Sequence, residues 1–172
     1  MQRTVFMAAL LVVAGAHWHP PTAPGGAERI VVWDDCDSAD TAWNATGGCT
    51  NTDGNVTQAE FGQENGSPLA ASIVGHQGWR NDPSYLIVQE GESLQVENRG
   101  GRTHSFTRVA EFGGGVVPPL NQWLTQAPEC PGLVPLPAGG QQVVAPLPAG
   151  NHRFQCCFHP WMRTLVKVKA DN

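Results

Sequence analysis

Residues 152–164, HRFQCCFHPWMRT, gather two cysteines, two histidines and a methionine in a chain that has only 5 Cys, 6 His and 3 Met. Three chemistries are open to such a cluster: a metal site, a redox-active thiol pair, or one end of a disulfide. Period-two alternation along HRFQC puts His152, Phe154 and Cys156 on one face of a strand and Arg153, Gln155 and Cys157 on the other. Phe154 is the natural core residue, so Cys156 is expected to point inward with it. Pro160 cannot continue a sheet ladder, so the strand must give way to a tight loop. That loop offers a thiolate, an imidazole and a thioether at Cys156, His159 and Met162. This soft donor set selects copper, and a weak axial methionine suits a metal that cycles between Cu(I) and Cu(II).

One imidazole is still lacking, and the strand, Gly-Gly turn and strand of SLQVENRGGRTHSFT supply it as His104. Asn98, then His104, then Cys156-x-x-His159-x-x-Met162 and a final apolar strand together resemble the blue copper proteins, the cupredoxins of the plastocyanin and amicyanin type. The resemblance spans about residues 84–170, and the ligand loop is most similar to that of amicyanin. It implies that His104, Cys156, His159 and Met162 bind one type 1 copper, with Met162 as the long axial ligand. It also implies that Asn98 stiffens the copper loop without ligating, that Ser105 flanks the site, and that Pro160 and Trp161 form an apolar surface patch around an exposed His159. Electrons would leave by that edge.

Two departures from the family pattern stand out. Thr164 follows Met-Arg where glycine is usual, and a second cysteine, Cys157, follows the ligand cysteine. Because Cys157 faces away from Cys156, it is expected to be a structural partner of Cys130. That leaves Cys156 as the odd thiol, and a vicinal disulfide is disfavoured because adjacent cysteines rarely meet the required geometry. Cys36 and Cys49 are the other disulfide candidates.

The elements that must carry these residues read as an all-β domain, an antiparallel Greek-key β-sandwich. Glycine (20) and proline (14) are abundant and charged residues are sparse, the pattern of many short strands joined by turns. Strands are predicted over 30–33, 84–89, 93–97, 105–109, 142–145, 153–156 and 165–169. Leu120, Trp123 and Leu124 at helical spacing predict one short helix packed on the core. His152 is expected to be a packed side chain, and His76 a turn or buried hydrogen-bonding residue.

Residues 1–16 have the layout of a secretory signal peptide, with a basic start, an apolar run and small residues near a cleavage point at Ala16. Residues 17–29 read as a Pro/Gly-rich tether, and 30–172 as the folded domain with an acidic, loop-rich insertion at 34–72. Cleavage would make His17 the N-terminus with His19 close by, but the proline-rich sequence that follows argues against a catalytic site there. The chain is therefore expected in the periplasm or secreted, without stable membrane insertion and as a monomer.

The formal charge is −5 and becomes −6 once Arg3 is removed, which argues against nucleic acid as a partner. Eight of the fifteen acidic residues fall within 28–64, a solvated face or a steering surface for a basic partner. No grouping typical of a hydrolase and no phosphate-binding glycine motif is present, so no enzyme is expected. The expected function is single-electron transfer between protein redox partners, with copper storage, delivery or sensing as the alternative.

Overall fold

The computed structural model describes residues 27–65, 74–121 and 123–171. The signal-peptide layout, His17, His19 and most of the tether lie outside them. Ten strands form: β1 (Glu28–Trp33), β2 (Arg80–Asp82), β3 (Tyr85–Gln89), β4 (Leu94–Asn98), β5 (His104–Ser105), β6 (Thr107–Val109), β7 (Pro135–Leu136), β8 (Gln141–Val144), β9 (Gly150–Gln155) and β10 (Arg163–Lys169). One sheet has the order β2-β1-β4-β8, the other β3-β10-β9-β6, and β5 pairs with β7 as a short ribbon. The result is a β-sandwich. The sheets are mixed rather than wholly antiparallel, because β1 runs parallel to β4 and β3 parallel to β10.

Strict alternation places the core. Ile30 and Val32 of β1 and Leu94 and Val96 of β4 point inward from one sheet, and Val88, Phe154, Val166 and Val168 point inward from the other. All belong to one buried cluster. Phe154 stacks on Phe106 with ring centroids 4.5 Å apart. The parallel register brings Val32 opposite Asn98, so β1 and β4 deliver their next inward residues to the same end of the sandwich.

The described part of the 34–72 insertion, residues 34–65, is less of a loop than its composition suggests. A 3-10 helix covers Thr41–Thr46, and a short α-helix, α1, covers Gln58–Glu64. A reciprocal capping box between Thr57 and Glu60 starts α1. Trp43, Phe61 and Trp79 meet at centroid distances of 4.6–5.8 Å and join the main core, so the segment forms a cap over one end of the sandwich. The Cys36–Cys49 disulfide ties its base.

The helix expected around Leu120, Trp123 and Leu124 is only a 3-10 turn over Pro118–Leu120. Trp123 has φ 71°, a left-handed conformation that no right-handed helix continues, and its side chain is 89% exposed. Among the described residues, no helix is long and apolar enough to cross a membrane.

Phe154 is fully buried and stacked, so truncation leaves a cavity the core cannot close. Phe154→Ala is expected to lower the unfolding free energy by about 3–5 kcal/mol, read from urea denaturation. A loss below about 1 kcal/mol, roughly that of an ordinary exposed substitution, would contradict this packing.

Candidate metal centre

The loop that carries Cys156, His159 and Met162 closes at the end of β9. The Cys156 amide donates to the Met162 carbonyl at 2.9 Å, and the Met162 amide to the His159 carbonyl at 2.9 Å. Cys156 faces inward and is fully buried, as alternation from Phe154 requires. Cys157 faces the other way, into a second small core with Val109, Ala127 and Cys130, and is bonded to Cys130. Cys36 is bonded to Cys49, which leaves Cys156 as the free thiol.

The fold brings together the thiol and both predicted imidazoles. Cys156 Sγ lies 3.7 Å from His104 Nδ1 and 3.7 Å from His159 Nδ1. The ligating atoms of all three residues fall within 4.8 Å of one another, and all three residues are buried. A single ion with metal–sulfur bonds of about 2.3 Å and metal–nitrogen bonds of about 2.0 Å holds such donor atoms about 3.5–3.8 Å apart. The observed sulfur–nitrogen separations therefore suit one shared ion. Met162 is 1% exposed and packs in the same core cluster as Cys156.

The surroundings of the site are pinned. The Ser105 amide donates to Cys156 Sγ at 3.4 Å, and the Ser105 hydroxyl accepts from the Cys157 amide at 2.8 Å. Asn98 works as a clamp. Its Nδ2 donates to the Arg102 and Leu136 carbonyls at 2.7 and 2.9 Å, and its Oδ1 accepts from the Gly100 amide. The turn before His104 and the strand opposite it are thus held by one side chain.

Asp34 is a partner that motif reading does not flag. Its carboxylate is fully buried and lies 2.7 Å from His104 Nε2. The same carboxylate accepts from the amides of Cys36, Gly101 and Arg102. A signal for it was present in the sequence. Ile30, Val32 and Cys36 share one inward phase, and Asp34 takes the remaining position in that series.

His159 does not sit at the surface, as the family resemblance implied, but is 5% exposed. The cap covers it: its ring lies 6.1 Å from Phe61, 6.4 Å from Trp79 and 5.5 Å from Trp161. Pro160 is buried too, and Trp161 is half-buried with its indole N–H donating to the Trp79 carbonyl. A Cβ on Gly75 would overlap the Trp161 indole, so the backbone at Gly75 lies close against that ring. His159 does border a pocket of about 470 Å³, which Trp43, Phe61, Arg102, Leu120 and Phe158 also line. Arg102 stacks on Trp43 at 4.4 Å and donates to the Thr46 and Gly48 carbonyls, fastening the cap to the His104 turn.

The other two histidines among the described residues, His76 and His152, take structural roles. His76 Nδ1 accepts from the Gly78 amide, and its Nε2 lies 3.1 Å from Glu64. His152 bonds the Pro148 carbonyl at 2.7 Å and accepts from Arg108.

No protein-family model matches the chain, and no curated protein does. Among solved structures, a purple cupredoxin from Nitrosopumilus maritimus is similar at 17% identity over 83% of this chain and 99% of that one, with a TM-score of 0.42. A methionine-to-alanine mutant of amicyanin in its Cu(I) form is similar at 20% identity over 52% of this chain and 73% of that one, with a TM-score of 0.37. The functional reading rests on this chain's own residues.

Those residues form a charged chain of bonds. Burial alone would raise the Asp34 carboxyl, but the bond from His104, its positive charge and the Arg102 and Gly101 amides together outweigh it and hold the group below its ordinary value. Burial likewise opposes a charged His104, yet the bonds to Asp34 and Cys156 push it up to about 9. Burial would raise the Cys156 thiol, but the neighbouring His104 lowers it. His159 is pushed well down by burial, then by the positive charges of His104 and Arg102. A metal bound at this site would have to displace a proton from His104 Nδ1 and release it to solvent. Apparent Cu(II) affinity is expected to rise with pH from neutral up to about 9 and to level off above. Competition titration against a chelator of known pH dependence checks this, and a flat profile across that window contradicts it.

Proposed function

We propose that the chain is an exported blue copper protein that carries single electrons between redox proteins, holding one type 1 copper on His104, Cys156 and His159 with Met162 as axial ligand. The observation that carries this reading is the convergence of two imidazole nitrogens and one free thiol in a buried site, their atoms within 4.8 Å. Copper bound there would supply a one-electron couple. The buried Met162 thioether beside a thiolate favours copper over zinc, since soft sulfur donors with imidazole suit that metal.

The residues around the site favour rapid exchange of electrons by resisting movement. Cys156 is fixed through its amide to Met162 and through its sulfur to the Ser105 amide. His104 is held by Asp34, and the turn before it by Asn98. Ligands fixed in this way need little rearrangement when the charge at the centre changes. The path to the surface runs through His159, whose pocket-facing edge is bordered by Phe61, Leu120 and Phe158. A redox partner is expected to approach over this apolar mouth.

Two disulfides support export, because such bonds persist in oxidising compartments. The layout of the first sixteen residues agrees with a cleaved signal. Copper storage or delivery would use the same donors but needs a metal that exchanges readily, and the cap over His159 works against this.

The deciding measurement is the visible and electron-spin-resonance spectrum of the purified chain after Cu(II) addition. An intense thiolate-to-copper band with narrow copper hyperfine splitting is expected. Cys156→Ser is expected to abolish the band and leave a folded protein. Met162→Leu is expected to keep the band and raise the reduction potential. A wild-type chain without the band, or a Cys156→Ser chain that keeps it, overturns the ligand assignment.

A further inference from the structure

We propose that Asp34 is a positioning residue that fixes His104 through its Nε2–H and biases the centre toward Cu(II). The proposal rests on the copper reading above.

A fully buried carboxylate is costly to keep unless its charge is compensated and its lone pairs are filled. At Asp34 both conditions are met, and each by a group tied to the site. Oδ1 accepts from the amides of Cys36 and Gly101 at 3.3 and 3.1 Å. Oδ2 accepts from the Arg102 amide at 3.0 Å and from His104 Nε2–H at 2.7 Å. The chain makes room for this arrangement. A Cβ on Gly100 would overlap the Asp34 carboxylate, and one on Gly101 would overlap the Asn51 backbone and the Cys36 sulfur. Neither glycine has a positive φ, so close approach is the reason for both. The Gly-Gly turn before His104 is a cradle for the carboxylate.

The bond uses His104 Nε2, on the far side of the ring from the Nδ1 that faces Cys156. It fixes the tautomer and the ring plane, leaving Nδ1 free to donate its lone pair. A backbone carbonyl would also orient the ring, but a carboxylate adds a full negative charge. With a Cys156 thiolate, two neutral imidazoles and an ionised Asp34, the buried group is formally neutral around Cu(II) and carries −1 around Cu(I). Replacing Asp34 by a neutral residue reverses this, giving +1 around Cu(II) and neutrality around Cu(I). A buried site resists net charge, so Asp34 favours the oxidised state. The Arg102 guanidinium bonds the Thr46 and Gly48 carbonyls, not the Asp34 carboxylate, and its charge is common to both oxidation states.

The test compares the full chain with Asp34→Asn, reading three quantities: the thiolate-to-copper band, the affinities for Cu(II) and Cu(I) by chelator competition, and the reduction potential. Loss of a carboxylate behind a histidine ligand typically costs about 10–100-fold in metal affinity. The expected result is a Cu(II) affinity about 10–100-fold lower, a Cu(I) affinity that falls less, and a potential raised by about 59 mV for each tenfold difference between the two losses.

Proton NMR of the wild-type Cu(I) protein supplies a reading that does not depend on the variant folding. A downfield His104 Nε2–H resonance, slow to exchange with solvent, is expected, and rapid exchange overturns the bond. A wild-type chain with the band and an Asp34→Asn chain of unchanged affinity and potential overturn the role of Asp34 alone. A wild-type chain without the band overturns the copper reading, and this proposal with it.

Discussion

Burying polar donors at the end of a sandwich is the constraint on which this structure turns. An imidazole or a thiol removed from water must find partners inside, and each one left unpaired costs a few kcal/mol. His104, Cys156 and Asp34 solve the problem jointly: carboxylate to imidazole, imidazole to thiol, thiol to the amide of Ser105. The elements around them serve that chain of bonds. Parallel β1 and β4 end side by side, so that Asp34 and Asn98 meet the same Gly-Gly turn from two directions.

The cap changes what such a centre presents to the outside. Trp43, Phe61 and Trp79 form an aromatic layer continuous with the main core, and Arg102 fastens that layer to the turn before His104. His159 consequently meets solvent over one small edge at the mouth of a pocket instead of across an open patch. An approaching protein would meet the cap as well as the sandwich, and the acidic residues of 28–64 would shape that encounter.

Much of this was legible in the sequence, for identifiable reasons. Strands with a clear inward face, such as β4 and β10, announce themselves by alternation, and the same alternation sends Cys156 and Cys157 to opposite sides. The histidine and cysteine spacing marked the loop in which Cys156 and His159 meet His104. What escaped is also explicable. β2 and β7 have three and two residues, too few to show a period. α1 buries only Phe61, so its amphipathic signal is faint, although Thr57 and Glu60 spelled out its capping box. The apparent helix near Trp123 failed because three apolar residues at helical spacing say nothing about backbone conformation. Asp34 was hidden by its composition: in an acidic stretch it reads as a solvated charge, and only the phase inherited from Ile30 and Val32 turns it inward.

The adjacency of Cys156 and Cys157 bears on how the protein matures. Five thiols leave the ribosome chemically alike, and an oxidant cannot know which one to spare. The pleat of β9 separates them, turning Cys157 toward Cys130 and enclosing Cys156 among core side chains. In the folded chain the strand keeps the two sulfurs on opposite sides, so Cys157 alone of the pair reaches Cys130. The thiol that the fold shelters from disulfide exchange is the one that faces His104 and His159.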